Sequence, residues 1–306
     1  MESRTLRYFL AVAEFGSYSR AAEFLRISQP AISRQIRQLE EDVGKALFVR
    51  QSQGVSLTEA GKTLFLRGQI ILRQIEEARA EVKRGSRAIS GNVTLAVPPA
   101  AGHYLVPSLV RYLSDTYPDL ALRIVGGFSV LIHEWLVRGQ VDIACMHDPL
   151  PQKGFTSERL IDEPVSLVGR KDLLPRNRKF IRMEDLEQIP LILPSRPNAS
   201  RRLLDGWMAR TGTALDVRAE VDDPTLIRAL CRDGVGCSLL TQGNFQAEAR
   251  LGELQALPFK PAFYWKLTLV QAATAKSSPA TAVVADAIRA TVIKLHAKGK
   301  WPGRVS

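Results

Sequence analysis

Cysteine is scarce in this chain: Cys145, Cys231 and Cys237 are the only three in 306 residues. Three thiols make no disulfide framework. No apolar run approaches the roughly 18 residues needed to span a bilayer. The start of the chain carries no Lys/Arg-then-apolar signal pattern. A reducing cytoplasm is therefore the expected location, with no membrane partner. Catalytic signatures are missing as well. There is no G-x-x-x-x-G-K-[ST], no G-x-G-x-x-G, no H-E-x-x-H and no G-x-S-x-G elbow. No catalytic residue and no cofactor are expected. Cys145 and His147 are close in sequence, but two ligands do not make a metal site. Cys231 and Cys237 flank the turn "RDGVG" and read as small buried residues rather than a redox pair.

What is present is positive charge. The net charge is +11 and the pI about 9.8. That balance suits either a polyanionic partner or a basic surface kept for solubility. Residues 1–90 carry 15 Lys+Arg against 10 Asp+Glu, and the remainder 27 against 21. The front is only modestly denser in positive charge, so the placement of individual arginines has to decide. Hydrophobic residues make up 45% and charged residues 24%, ordinary for a folded globular chain with two or three domains.

The first 58 residues read as short helices and a hairpin. Leu6, Phe9, Leu10 and Ala13 repeat at helical spacing, and Gly16 offers a stop. Ser17 or Ser19 can cap a second helix holding Ala21, Ala22 and Leu25. Ser28 can cap a third, with Pro30 tolerated in its first turn and Gly44 ending it. Along that third helix Ile32, Ile36, Leu39 and Val43 form one apolar side. "ALFVR" and "GVSLT" look like two strands around a turn at "QSQG".

Thr58 and Glu59 then open a helix that runs to about Arg84, roughly 40 Å at 1.5 Å per residue. Leu64, Gly68, Ile71, Ile75, Ala78 and Val82 alternate spacings of four and three, as a coiled-coil seam does. With nothing nearby in sequence to bury that stripe, a second copy of the chain is the expected partner, although Gly68 weakens the seam. The alternative is packing against the chain's own C-terminal half. "RGSRAISGN" reads as a linker. The expected domains are 1–58, a linker and dimerisation helix at 59–90, and 91–306.

The other side of the third helix carries Gln29, Ser33, Arg34 and Arg37 and no large apolar group. Three helices followed by a hairpin is a winged helix-turn-helix layout, whose third helix enters the major groove. Arg34 and Arg37 can reach phosphates or guanine edges, Gln29 can pair with adenine, and Ser33 allows close approach. A solvated face on a helical dimerisation head would give the same pattern. A cytosolic α/β enzyme with such a head, and a nucleoid-type structural protein, are the competing readings.

"LRYFLAVAEFGSYSRAAEFLRISQPAISRQIRQLEEDVGKALFVRQSQGVSLTEAG" closely resembles the N-terminal domain of LysR-type transcriptional regulators. The family pattern falls at Ala21, Ala22 and Leu25, then Ser28 to Glu40, then Leu47, Phe48 and Arg50, then Leu57 to Gly61. The resemblance implies that Gln29, Pro30, Ser33, Arg34 and Arg37 face double-stranded operator DNA and that Arg50 contacts it from the wing. The family often has a further basic residue at the wing tip, where this chain has Gln51, Ser52, Gln53 and Gly54. The acidic run Glu40, Glu41, Asp42 is expected to point away from DNA as a solvated helix end. The resemblance also implies a homodimer through the linker helix and, as a dimer of dimers, a homotetramer.

From residue 93 the texture becomes alternating strands and helices. "VTLAV", "LALRIV" and "VDIAC" are β-rich runs separated by helical patterns at Leu105, Leu109 and Leu113 and at Leu131 and Trp135, a βαβαβ unit with a parallel sheet. A second unit follows, with strands "PLILPS", "LDVRAEV" and "GCSLL" and helices through Leu203, Leu204, Trp207 and Met208 and through Leu226 and Leu230. "VSLVGR" and "YWKLTLVQA" look like crossings between two lobes, and a last helix from Ala280 to His296 returns to the first.

The layout matches the family's C-terminal half. The fold expected for the whole chain is α/β: an N-terminal winged helix-turn-helix, a long linker helix and a C-terminal two-lobed, periplasmic-binding-protein-like domain. Lobe I would span about 91–160 and 268–300, and lobe II about 161–267.

Ligands of open α/β sheets bind beyond the carboxyl ends of strands. Those ends hold Ala100 and Ala101, Phe128 and Ser129, His147, and Ser195, Asn198 and Ser200. The last three precede a helix start with Arg196, Arg201 and Arg202 close by, an arrangement suited to a carboxylate, or equally to a capped helix with solvated arginines. The resemblance implies that a small effector binds in this cleft and alters DNA binding. Where many members have Ser or Thr, this chain has Pro99, Ala100 and Ala101, which favours a more apolar or aromatic ligand against Phe128 and near His147. "LPSRP" resembles the subgroup named for nitrogen assimilation control, a motif too short to imply a nitrogen role.

Overall fold

The computed structural model describes residues 1–52, 54–84, 89–272 and 278–305. The chain divides into two compact units: Met1–Gly91, with which Val137–Gln140 also group, and the remainder.

The first unit opens with α1 (Ser3–Phe15), α2 (Tyr18–Leu25) and α3 (Gln29–Val43). Gly16 at φ 60° ends α1. The Ser17 hydroxyl accepts the Arg20 N–H at the start of α2. Ser28 occupies the N-cap position of α3, but its side chain makes no capping bond, contrary to the sequence expectation. Leu6, Phe9, Val12, Ala21, Ile32, Ile36 and Leu39 close one core. Each fully buried Leu or Ile here contributes about 2 kcal/mol. Val43, expected on this side, is 44% exposed.

The reason is Glu40. Its carboxylate accepts the N–H of Leu47 at 2.7 Å and of Phe48 at 3.2 Å. The chain is thereby drawn back after Gly44, and the buried Leu47 fills the place beyond Leu39. The acidic run is therefore not simply a solvated helix end. Glu41 and Asp42 are exposed, but Glu40 ties α3 to the first strand.

Strands β1 (Phe48–Gln51) and β2 (Gly54–Leu57) form the hairpin, paired Phe48 to Leu57 through Gln51 to Gly54. The hairpin is fastened to the end of α1 by the Val55 N–H donated to the Gly16 carbonyl at 2.9 Å. At Gly54, φ is 94° and a Cβ would lie 2.3 Å from that same carbonyl oxygen, so no side chain fits there.

Helix α4 (Glu59–Arg84) follows, started by the Thr58 hydroxyl, which accepts the Gly61 N–H and donates to the Ala46 carbonyl. The expected seam does not wait wholly for a second chain. Leu64 and Ile71 pack into the helical core, and a Cβ at Gly68 would lie 2.8 Å from Leu6 Cδ1. Gly68 permits α4 to lie against α1. Further along, Ile75 is half-buried and Ala78 exposed. The side chain of Val82 and most of "RGSRAISGN" fall outside the described residues.

The second unit contains β3 (Gly91–Val97), α5 (Pro99–Thr116), β4 (Leu120–Gly126), α6 (Ser129–Val137), β5 (Ile143–His147) and β6 (Phe155–Gly169). After a 3-10 turn at Met183–Gln188 come β7 (Leu191–Leu193), α7 (Ala199–Thr211), β8 (Val217–Glu220), α8 (Pro224–Arg232) and β9 (Ser238–Thr241). A turn at Gln242–Asn244 leads to α9 (Gln246–Arg250), β10 (Gln255–Pro258), β11 (Tyr264–Ala272), α10 (Pro279–Ala297) and β12 (Arg304–Val305).

The main sheet runs β10-β6-β11-β5-β3-β4, with β9 and β12 also on β6. β6 crosses the unit. Its first part pairs antiparallel with β11, from Phe155 opposite Ala272 to Pro164 opposite Tyr264. Its second part pairs with β9 and β10 through Val165 to Gly169. The crossing strand is thus longer than the "VSLVGR" run, beginning at Phe155. β3 and β5 are parallel, as are β7 and β8.

One core gathers Ala96, Ile132, Leu136, Ala144 and Val270, and another Val165, Leu167, Leu191, Leu193, Leu204 and Trp265. α10 returns to pack on α5. Two short helices are phased one residue away from expectation. Leu131 and Leu226 are exposed, while Ile132 and Ile227 face inward. In α8 the phase is set by Asp223, whose carboxylate accepts the N–H groups of Thr225 and Leu226 beside Pro224.

Candidate nucleic-acid interface and effector cleft

The side of α3 opposite Ile32, Ile36 and Leu39 holds Gln29, Pro30, Arg34 and Arg37, all exposed, and the half-buried Ser33. Gln35 is turned the other way and accepts the Thr5 hydroxyl at 3.0 Å, which fixes α3 on α1. Arg50 is exposed on β1. Among the described residues Arg34, Arg37 and Arg50 have neither an ion pair nor a hydrogen bond. Tyr18 marks where helix and wing meet. Its ring lies 5.8 Å from that of Phe48. Burial, and then Glu40, push its phenol up from the usual value, while Arg50 and Arg37 pull it down. Both arginines therefore act on one side of this unit. A rigid helix, three cations free of partners and a short polar stripe can grip phosphates and read base edges.

In the second unit a cavity lies between the strand ends, lined by Pro98, Pro99, Ala100, Phe128, Ser129, His147, Asn198, Ser200, Ile227, Leu240 and Trp265, among others. Six of the eight expected effector residues line it. Ala101 does not: it is wholly buried behind Ala100 in the first turn of α5. Ser195 does not either, because Asp222 accepts both its N–H and its hydroxyl. The cavity volume is about 50 Å³. That holds a few waters.

The three arginines at the start of α7 do not line the cavity. Arg196 forms a two-pronged pair with Asp205, at 2.6 and 2.8 Å. Arg201, its side chain only 5% exposed, bonds to Asp205 and Glu220. Arg202 donates to the carbonyls of Pro197 and Asp148. They are not held ready for a ligand carboxylate, and Arg201 is not solvated.

The cavity wall instead holds His147. Its Nε2 lies 2.6 Å from the Glu163 carboxylate, and the Trp301 indole N–H donates to the other Glu163 oxygen at 2.9 Å. The His147 and Trp265 rings are 5.8 Å apart. Glu163 and Trp301 were missed from sequence. The one available signal was an acid pair inside the apolar run "LIDEPVSLV". The three cysteines are free and buried; burial above all pushes each thiol up to about 12, so none is poised to react. Among the described residues no cluster of three or more His, Cys, Asp or Glu is placed to hold a metal, and no helix is long and apolar enough to cross a membrane.

A winged helix-turn-helix joined by a long helix to a two-lobed α/β unit with a cleft defines a class of protein, and comparison with known sequences agrees with it. Residues 3–62 match the model of the bacterial regulatory helix-turn-helix proteins of the lysR family, and residues 86–292 that of the LysR substrate binding domain. The chain belongs to the LysR family: it is a DNA-binding transcription regulator with an effector-binding domain, not an enzyme.

Among curated relatives, the HTH-type transcriptional regulator BbuR of Bordetella bronchiseptica is 31% identical over 99% of this chain and 94% of its own. The nitrogen assimilation regulatory protein nac of Escherichia coli is 30% identical over 79% of each. Among solved structures, a full-length OxyR variant from Pseudomonas aeruginosa superposes with a TM-score of 0.71 at 24% identity, covering 94% of this chain and 95% of that one. Full-length CbnR complexed with its target DNA gives 0.69 at 23% identity, covering 95% and 100%.

Proposed function

We propose that this regulator reads operator DNA with Gln29, Pro30, Ser33, Arg34 and Arg37 of α3, helped by Arg50 of the wing, and senses a small molecule in the cleft beside Ala100, Phe128, Ser129, His147, Asn198 and Ser200. The observation that carries the DNA reading is the outward-facing pair Arg34 and Arg37, without an ion pair among the described residues, on a helix whose other side is sealed in the core. A guanidinium left without an acid partner is available to phosphate or guanine. Residues 1–58 serve as the DNA-binding domain, 59–90 as the dimerisation helix and 91–306 as the effector domain, with lobes near the limits given above.

The chain acts as a homodimer, and as a dimer of dimers, in the cytoplasm. Support for self-association comes from α4, whose first half is occupied by its own α1 while Ile75 and Ala78 continue the seam beyond it. Paired recognition helices then meet half-sites about one helical turn apart. Ligand binding shifts the assembly between DNA-bound arrangements according to its differential affinity for them.

The test is retardation of promoter DNA by the full chain at several salt concentrations. The expected result is sequence-selective binding that weakens with salt. Binding without sequence preference would favour an architectural role instead. Arg37→Ala that leaves affinity unchanged would remove that residue from the interface.

A further inference from the structure

Away from the cleft, the second unit carries a larger depression between α5 and α10, with a volume of about 500 Å³. The two helices pack on each other, and each supplies one wall. On α10, Ala287, Thr291 and Leu295 recur one turn apart and form a buried floor. On α5, the half-buried Ser108 is followed one turn later by Arg111 and Tyr112. Tyr112 is 47% exposed, and its ring is held edge-on by that of Tyr117 at 6.5 Å.

The rim of this groove is cationic. Lys294 and Lys298 stand one turn apart, Lys300 follows, and Arg111 joins them from α5. Among the described residues none of these four has an ion pair or a side-chain hydrogen bond. One acid, Asp115, borders the groove, and among the described residues it is in no ion pair either. A depression of similar volume beside Asp148, about 530 Å³, is different. There Arg159 is held by Asp162, and Arg202 by two backbone carbonyls.

A helix C-terminus favours cations, which accounts for Lys294 in the last turn of α10 and Lys298 just beyond it. It does not account for Arg111, which lies ahead of the last turn of α5. Like charges four residues apart on a helix repel, and Arg111 adds to them from a second helix. An anion in the groove relieves that repulsion, and low-dielectric walls concentrate the field that draws it in. The floor and the Tyr112 ring offer apolar surface that a bare inorganic anion cannot use.

We propose that this groove is a second small-molecule site, which takes a ring-bearing dianion of the aryl phosphate kind. The charged end meets Lys294, Lys298 and Arg111, and the ring lies against Tyr112 over Ala287 and Leu295. The site is distinct from the cleft and does not rest on the reading of the cleft as the effector site. An uncharged ring would leave the cations uncompensated. A second copy of this chain, with a net charge of +11, is a poor electrostatic match for the same rim.

Phenyl phosphate, inorganic phosphate and benzyl alcohol test the proposal, since the last two each carry one half of the first. They are titrated calorimetrically into the full chain at low salt, at a pH well above the second phosphate pKa of about 6. Expected is saturable binding of phenyl phosphate below about 1 mM, tighter than either half by about tenfold or more. K294Q/K298Q is expected to weaken it by about tenfold or more, while K294R/K298R, which keeps both charges, retains it. Y112A is expected to weaken phenyl phosphate and to leave inorganic phosphate unchanged.

No saturation with phenyl phosphate overturns the proposal. Inorganic phosphate binding as tightly would reduce the groove to a cloud of counter-ions, and benzyl alcohol binding as tightly would remove the role of the charges. Unchanged binding in K294Q/K298Q would place the ligand elsewhere on the chain. Sedimentation of the same variants covers the remaining occupant: a changed oligomeric state would make the groove an interface between copies and likewise overturn the ligand site.

Discussion

Two groups of three arginines, one in each unit, look alike in the sequence and differ in the folded chain. Arg34, Arg37 and Arg50 stand outward on α3 and β1 and, among the described residues, form no ion pair. Arg196, Arg201 and Arg202 sit at the start of α7 and are all occupied, by Asp205, Glu220 and two backbone carbonyls. A guanidinium already holding a carboxylate has little left for a ligand. Basic residues beside a helix start therefore say nothing about anion binding until the acids brought in by the rest of the fold are known. The first group supports a duplex-facing role; the second ties the start of α7 to its surroundings.

The contrast is sharpest for stability. Arg201→Ala removes a guanidinium whose side chain is only 5% exposed, together with its bonds to Asp205, which keeps Arg196, and to Glu220; it is expected to lower stability by about 1–2 kcal/mol through lost packing and charge-assisted hydrogen bonds. Denaturant unfolding of the full chain measures it. Arg34→Ala is expected to change stability by less than about 0.5 kcal/mol, as exposed substitutions do. Its effect belongs on DNA: a loss of about 1–3 kcal/mol in operator affinity, concentrated at one base pair if Arg34 reads a base and spread over all sequences if it grips phosphate. Fluorescence anisotropy with substituted operators separates the two. An Arg201 variant as stable as wild type, or an Arg34 variant that unfolds readily, would erase the distinction. Glu40→Ala strips the acceptor from two N–H groups. It is expected to cost about 2 kcal/mol and to weaken DNA binding indirectly by loosening the tie between α3 and β1.

The same contrast explains what could be read in advance. The apolar stripe of α3 was legible because Ile32, Ile36 and Leu39 obey a local periodicity, and whatever lies opposite them must face outward. The helix stops at Gly16 and Gly44 and the hairpin between β1 and β2 were legible for the same local reason. The C-terminal unit showed its alternation of strands and helices, which is enough to place strand ends around a cleft.

Pairings that no local periodicity announces were not legible. Glu40 looks like any acid near a helix end until Leu47 and Phe48 turn back to it. Gly68 looks like a flaw in a seam until Leu6 lies across it. Trp301 meets Glu163 across 138 positions, so nothing in either neighbourhood announces the contact. Periodicity gives the face of a helix; it does not give the partner of a charge.

The smallest expected effect concerns acid. Burial by itself would push the Asp205 carboxyl up, but hydrogen bonds from Arg196 and Arg201 overcome it and hold the group below its ordinary value of 3.8. A carboxyl depressed in the folded state stabilises it most above the unfolded value, and that contribution fades as pH falls through the folded one. Asp205→Asn should therefore melt below wild type at pH 7, with the gap closing as the pH drops under 3.8. Other depressed carboxyls, such as Asp185 and Asp223, remain in both proteins and cancel in the difference. Thermal melts at a series of pH values provide the curve. A gap that stays constant down to the acid transition would mean that Asp205 is not held as a carboxylate by its arginines. Arg196, which holds no other acid among the described residues, would then be free to meet an anion, and the division between the two groups of arginines would lose part of its basis.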